Sequence, residues 1–495
     1  MTNEPLHASR RQRRVFAIET NGMNVIRGHH RKGVAKELFW PWFGANVSVL
    51  GLSYGAYALG FGISFWQGVF AGLAGILFSF LLVGLISLAG KRGSAPTMLL
   101  SRAAFGVRGN RFPAAISWLL TVGWETVLTI LATLATATVF EELGWGGGDF
   151  TKAVALAVIC VLVVIAGVIG FEMIMRLESA ITIVTAVLTV VYIVLVMDDI
   201  KWSTVEALPS GSWQQVLGAT TLMMTGFGLG WVNLAADYSR YLPREVSNRS
   251  VVGWTTFGGA LAPVILLMFG LLLAGSSADL SAEIGSNPIG ALAHALPHWF
   301  LVPFALVAVL GLVGGAVLDI YSSGLAMLAA GIRVRRHIAA LIDGIVMLLG
   351  TIYVVFMGQN FLAQFMGFLI TLGVPIAAWC GVMLADILIR REDLVEEELY
   401  MPGGRYGNVQ WTPIAIIAVC TALGWGLVTN MQATWLTWQG YLLGPLGLGG
   451  KEGDWAWANL GVLLSLVLSF VAYYLLARRR VQRQEAGQAE ELVAV

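Results

Sequence analysis

The chain has 495 residues, 57% of them hydrophobic and 12% charged, with a formal net charge of +1 and a mean hydropathy of +0.77. Soluble globular proteins carry about 25% charged residues, because ionised groups solvate their surface. Half that charge, with apolar runs of about twenty residues, excludes a water-soluble fold and points to helices that cross a hydrocarbon core. The near-neutral balance singles out no charged partner, and no nucleic-acid partner is expected.

Twelve spans are predicted, near 38–62, 66–90, 113–140, 152–171, 179–197, 214–236, 250–275, 299–331, 338–357, 360–389, 411–430 and 457–477. The runs at 68–90 and 153–171 contain no charge at all. Of the 18 tryptophans, Trp40, Trp66, Trp145, Trp202, Trp299 and Trp455 lie at span ends, where an interfacial belt places them. Lys and Arg divide 27 to 3 between the two sides of the membrane, the three being Lys152, Lys201 and Lys451. That asymmetry predicts a cell-membrane protein with an even number of spans and both termini cytoplasmic. The first thirty-odd residues are polar and basic, so no cleavable signal peptide is expected, and 1–30 and 481–495 read as mobile tails. Cys160, Cys380 and Cys420 all fall inside spans without metal spacing and read as buried small apolar groups, with neither metal nor cofactor implied.

A span that only anchors is uniformly apolar, and spans 1 and 6 are not. Span 1 concentrates Gly44, Asn46, Ser48, Gly51, Ser53 and Gly55 in its middle; span 6 carries Gly226, Gly228 and Gly230 followed by Asn233 and Asp237. Glycine is a poor helix former, and midplane polar groups are costly unless they face a cavity. Interruptions five spans apart predict two inverted five-helix repeats whose broken helices frame a binding site; glycines serving only close helix packing are the alternative. The chain then divides into a tail at 1–37, a first repeat at 38–198 and a second at 199–395. A loop with spans 11 and 12 follows at 396–477, and a tail at 478–495.

Five acids lie within or near membrane depth: Glu125, Asp237, Asp319, Asp343 and Asp386. A carboxylate there must be paired, hydrated or protonated. Asp237 and Asp386 precede arginine-bearing segments and are expected to pair with them, with Asp343 near His337 doing likewise. Glu125 in span 3 and Asp319 in span 8 have no such neighbour and are the candidates for function. Trp124 and Trp231 flank the interrupted region, where two ring faces would clamp a flat heteroaromatic solute while Asn46, Glu125 or Asp319 bonds its edge.

These stretches resemble the nucleobase–cation symporter family of purine–cytosine permeases, allantoin and hydantoin transporters. The matching pieces are WPWFGANVSVLGLSYG in span 1, GSAPTMLLSRAAFGVRGN in the following loop, VGWETVLTI in span 3, GWVNLAADYSRYLP in span 6, LDIYSSGL in span 8 and PIAAWCGVMLADILIRRED in span 10. Spread over about 38–395 in the family's order, they look closest to the purine–cytosine permease branch. The resemblance implies an all-helical LeuT-like fold with substrate between spans 1, 3, 6 and 8. It puts the base-stacking tryptophan on Trp124, the span 6 aromatic on Trp231 or Phe227, the span 8 edge contact on Asp319, and Asn46 and Ser48 at the span 1 break. Two departures stand out. Leu128 replaces the usual amide one turn after the tryptophan. Val313 and Gly314 occupy the span 8 positions where sodium-coupled relatives carry hydroxyls, and neither side chain offers the oxygen that sodium requires. The expected function is import of a nucleobase by proton symport, with Asp319 or Glu125 carrying the proton. The same fold could move allantoin, hydantoin, thiamine or an amino acid, with a proton or with sodium. An intramembrane enzyme would need a reactive constellation such as HExxH, which is absent, and an ion channel would not need paired broken helices.

Overall fold

The computed structural model describes residues 22–26, 31–357, 361–430 and 433–493; most of the N-terminal tail and the side chain of Arg176 lie outside them. Among the described residues the chain is helical with no strand. The unbroken spans are span 2 (Phe65–Gly93), span 3 (Arg111–Glu142), span 4 (Asp149–Ile169), span 5 (Phe171–Leu195), span 7 (Asn248–Ser276), span 8 (Leu301–Ala329), span 9 (Arg336–Phe356), span 10 (Phe361–Ile389), span 11 (Trp411–Trp425) and span 12 (Leu460–Val493). Eight of these are long and apolar enough to cross a membrane, and spans 5 and 11 contribute shorter apolar helices. Their outward faces are apolar, as at Leu77, Leu81, Val161, Leu162 and Leu475, where a water-facing helix would be charged. Trp66, Trp145 and Trp299 are exposed at span ends.

Local chemistry sets the helix starts. Ser64 accepts the Gln67 amide while Gln67 bonds back, and Ser212 with Gln215 repeats the device at span 6. In the loop between spans 7 and 8, Ser277 and Asn287 cap two short helices, Ala278–Ser286 and Pro288–His294. His294 there sits between Glu142 at 3.3 Å and Glu283 at 2.6 Å, tethering the loop to the end of span 3.

The tertiary pairing follows the repeat. Span 2 packs on span 7, span 3 on span 8 and span 4 on span 9, so each element meets its counterpart five places on, as a pseudo-two-fold arrangement requires. Span 12 lies along spans 10 and 11. It also continues to Val493, through residues expected as a tail. Arg, Gln, Glu and Ala favour helix there, and Arg480 fixes the emerging turn by donating to Gln410 Oε1 at 3.0 Å and the Ala104 carbonyl at 3.1 Å.

Candidate functional site

Spans 1 and 6 are both broken. Half-helix 1a (Phe39–Asn46) ends where Val47 leaves helical geometry (φ −83°, ψ 69°), and half-helix 1b (Leu50–Leu59) restarts beyond it. Half-helix 6a (Trp213–Gly226) ends at Phe227 (φ −120°, ψ −112°); two 3₁₀ turns, Gly228–Gly230 and Val232–Leu234, lead into the short 6b (Ala235–Ser239). Carbonyls at the ends of 1a and 6a and amides at the starts of 1b and 6b therefore reach mid-span. Some are already satisfied. Ser48 Oγ accepts the Leu50 amide at 3.4 Å, the Gly228 amide donates to Ser79 Oγ at 3.2 Å, and the Tyr54 hydroxyl donates to the Gly226 carbonyl at 3.2 Å. Asn46 spends one amide hydrogen on the Trp42 carbonyl at 2.8 Å, leaving its oxygen and second N–H for another partner.

An aromatic group fills the space beside the breaks. Tyr54 lies 4.4 Å from Phe227 and packs edge-on against Phe365; Trp124 meets Phe365 and Phe368 edge-on at 5.8 and 5.9 Å. The Trp124 indole N–H is buried without a hydrogen-bond partner and presses against Gly230, where a Cβ would stand 2.9 Å from Nε1. Trp231 instead packs edge-on against Trp42 at 6.0 Å, with Tyr238 on the other side of Trp42 at 5.3 Å. Of the two span 6 aromatics, Phe227 is thus the one joined to Trp124's neighbours.

The acids separate into different environments. Asp319 is buried with Oδ2 unpartnered. It lies on the stripe of span 8 that includes Gly311 and Gly315, which face Val47, Ser48 and Ala45 at the span 1 break and Leu128 of span 3. Glu125, one residue from Trp124, points away from the rings. It is fully buried with both oxygens outside ordinary hydrogen-bond geometry, and Ser323, Asp343 and Asp319 are the polar groups that bear on it. Asp343 does not pair with the basic end of span 9 as expected; it accepts from Trp118 Nε1 at 2.7 Å and Ser323 Oγ at 2.8 Å. Asp237 likewise accepts from Thr97, through the amide at 2.7 Å and Oγ1 at 2.8 Å, while Arg240 reaches the Tyr321 hydroxyl at 2.7 Å. Arg240 still bears electrostatically on Asp237, whereas Asp386 pairs with its arginine directly, accepting from Arg390 at 2.7 Å and from Tyr473 at 2.7 Å.

The two ends of the molecule differ. At the arginine-poor end a vestibule of about 890 Å³ lies between half-helix 1b, the loop after span 7 and span 10, with Tyr57, Phe61, Met366 and Ile370 in its wall. Its aromatic floor separates it from Trp124: Tyr57 packs against Phe365, which packs against Trp124. The arginine-rich end is sealed by the Asp237–Thr97 bonds and by Arg31, which donates to the Leu242 and Lys91 carbonyls.

A family model described as a permease for cytosine/purines, uracil, thiamine and allantoin matches residues 25–444. The chain belongs to that permease family. Along 96% of its length it is 23% identical to a putative purine–cytosine permease, YxlA of Bacillus subtilis, covering 99% of that protein. It is 23% identical to the purine–cytosine permease FCY2 of Saccharomyces cerevisiae, over 87% of this chain and 82% of that one. In fold it resembles Mhp1, a nucleobase-cation-symport-1 family transporter solved closed with bromovinylhydantoin bound, at a TM-score of 0.69 and 17% identity over 95% of this chain and 99% of that one. The permease is therefore a multi-pass membrane transporter and not an enzyme. Sequence reading missed Tyr54, Phe365 and Phe368 at its centre, and Trp118 and Ser323 around Asp343. Each is a common span residue whose part is visible only once distant helices meet.

Proposed function

We propose that this permease imports a nucleobase or related planar heterocycle, of the cytosine or purine kind, across the cell membrane by proton symport, with both termini cytoplasmic. The observation that carries the reading is the meeting of two helix breaks with the aromatic group of Trp124, Phe227 and Tyr54 (Asp319 lies on the span 8 face turned to the same breaks). A flat base would take its faces from the rings and its edge bonds from Asp319, the free N–H and oxygen of Asn46, and open backbone groups near Ser48. The Lys and Arg asymmetry supports the orientation, and the names of two relatives support the substrate class.

Proton rather than sodium coupling is supported by span 8. The backbone carbonyls of the span 1 break face Gly311 and Gly315, and Val313 and Gly314 add no side-chain oxygen to them. Asp319 and Glu125, buried without counter-cations, are the proposed proton carriers, Asp319 beside the substrate and Glu125 behind it toward span 9. Alternating access then opens the sealed arginine-rich end as the vestibule end closes. Uptake of labelled cytosine, hypoxanthine and allantoin into vesicles, with an imposed pH gradient or sodium gradient, tests the reading. Concentrative cytosine or purine uptake driven by the pH gradient is expected. Uptake confined to allantoin, thiamine or an amino acid, or driven by sodium alone, would overturn it.

A further inference from the structure

About half of the basic side chains described at the arginine-rich end have hydrogen-bond or ion-pair partners of their own. Arg244 bonds Glu396 at 2.7 Å and approaches Asp393 at 3.6 Å; Arg390 holds Asp386; Arg336 donates to the Gly167 and Val168 carbonyls, both at 2.7 Å. One group is set apart by its placement around a single hollow. Arg102, Arg108, Arg111 and Arg333 line a single cavity of about 270 Å³ whose wall contains no acidic residue. It lies between the loop after span 2, the start of span 3 and the end of span 8, with Pro402 closing one side.

Among the described residues the side chains of Arg108, Arg111 and Arg333 make no hydrogen bond or ion pair. Arg102 is anchored by one bond to the Leu399 carbonyl at 3.1 Å, and its Nε is buried without an acceptor. Arg111 is packed in place: Gly331 has φ +100°, and a Cβ there would come within 2.7 Å of Arg111 Nε. A role in membrane orientation requires positive charge on this side, but not four arginines lining one hollow. Arg108, Arg111 and Arg333 are exposed, so water screens their mutual repulsion, and their forked donors, without protein acceptors, match phosphate oxygens. Phe112 and Ile332, both 44% exposed, adjoin the arginines in sequence and present apolar surface at the same level. That pairing of phosphate donors with exposed apolar side chains matches a phospholipid headgroup and the first part of its chains.

We infer that this pocket binds a phosphate-bearing anion, supplied by the headgroup of an anionic phospholipid. It joins the loop after span 2 to the end of span 8, so its occupancy braces the sealed end. The inference is independent of the solute that the permease carries.

The test uses the full chain, purified and reconstituted, with retention of phosphatidylglycerol read by native mass spectrometry and by thermal stabilisation in phosphatidylcholine nanodiscs. Inorganic phosphate is titrated in a parallel arm. The triple substitution Arg108→Gln, Arg111→Gln, Arg333→Gln is compared with Arg249→Gln, Arg391→Gln, Arg483→Gln, which removes equal charge from exposed positions on the same side that lie outside the cavity. Phosphatidylglycerol affinity should fall about tenfold or more in the first triple variant, from the loss of charge-assisted bonds, and stay near wild type in the second. Equal losses in both, or none in either, would overturn the site and leave orientation as the arginines' only role. Stabilisation by inorganic phosphate with none from phosphatidylglycerol would overturn the lipid as its source. Retention of both headgroup binding and arginine dependence when transport is inactive would support it, because binding does not require turnover.

Discussion

Gly230→Ala tests the aromatic site most directly. The added Cβ would lie 2.9 Å from Trp124 Nε1 and 3.4 Å from its Cε2, whereas non-bonded heavy atoms rest about 3.5–4.0 Å apart. The indole must retreat by roughly 0.5–1 Å, and Phe365 and Phe368 stand against its edges at 5.8 and 5.9 Å between ring centres. Overpacking of this kind costs about 1–3 kcal/mol. A base stacked on an aromatic side chain gains about 1–3 kcal/mol, so losing half of that weakens substrate binding by roughly two- to tenfold. The assay is calorimetric titration of purified protein with cytosine or hypoxanthine, alongside thermal unfolding to confirm that the variant folds. Adding Phe368→Leu should give the indole room and recover part of the affinity. A folded Gly230→Ala protein with unchanged Kd would refute the placement of Trp124 against the solute.

Trp124→Ala should lower substrate affinity by roughly ten- to a hundredfold while leaving the yield of folded protein near wild type; titration checks this. Asp319→Asn should preserve solute exchange but abolish the rise in accumulation as the outside pH is lowered, measured in vesicles with an imposed gradient. Sodium, added without a pH gradient, should leave KM for uptake unchanged. Thr97→Val removes the 2.8 Å bond to Asp237 and the 2.9 Å bond accepted from the Ala236 amide, each worth about 1 kcal/mol. It should therefore increase labelling of a cysteine placed near the sealed end.

The parts of the fold legible in sequence were those written in composition. Apolar runs gave the long spans, and glycines beside Asn46 and Asn233 marked the two breaks because no packing helix needs polar groups there. Asp343 was misread, and Asp237 read only in part, for one shared reason: both were judged by chain neighbours. His337 is near Asp343 in sequence, yet the helix turns the acid toward Trp118 of span 3. Arg240 follows Asp237 closely and acts on it through charge, but the acid's hydrogen bonds come from Thr97, 140 residues away. Tyr54 and Phe365 carried no signal of their own. A tyrosine or phenylalanine inside a span reads as packing until the opposite helix is in place.

The aromatic floor of the vestibule has a kinetic consequence. Tyr57 and Phe365 separate the outer chamber from Trp124, and side chains rotate far faster than whole helices shift. A small flat solute would equilibrate across that floor many times before the far end parts once. Apparent affinity measured from the chamber side then approaches a true binding constant, and turnover is governed by how often the bonds around Thr97 and Arg31 let go.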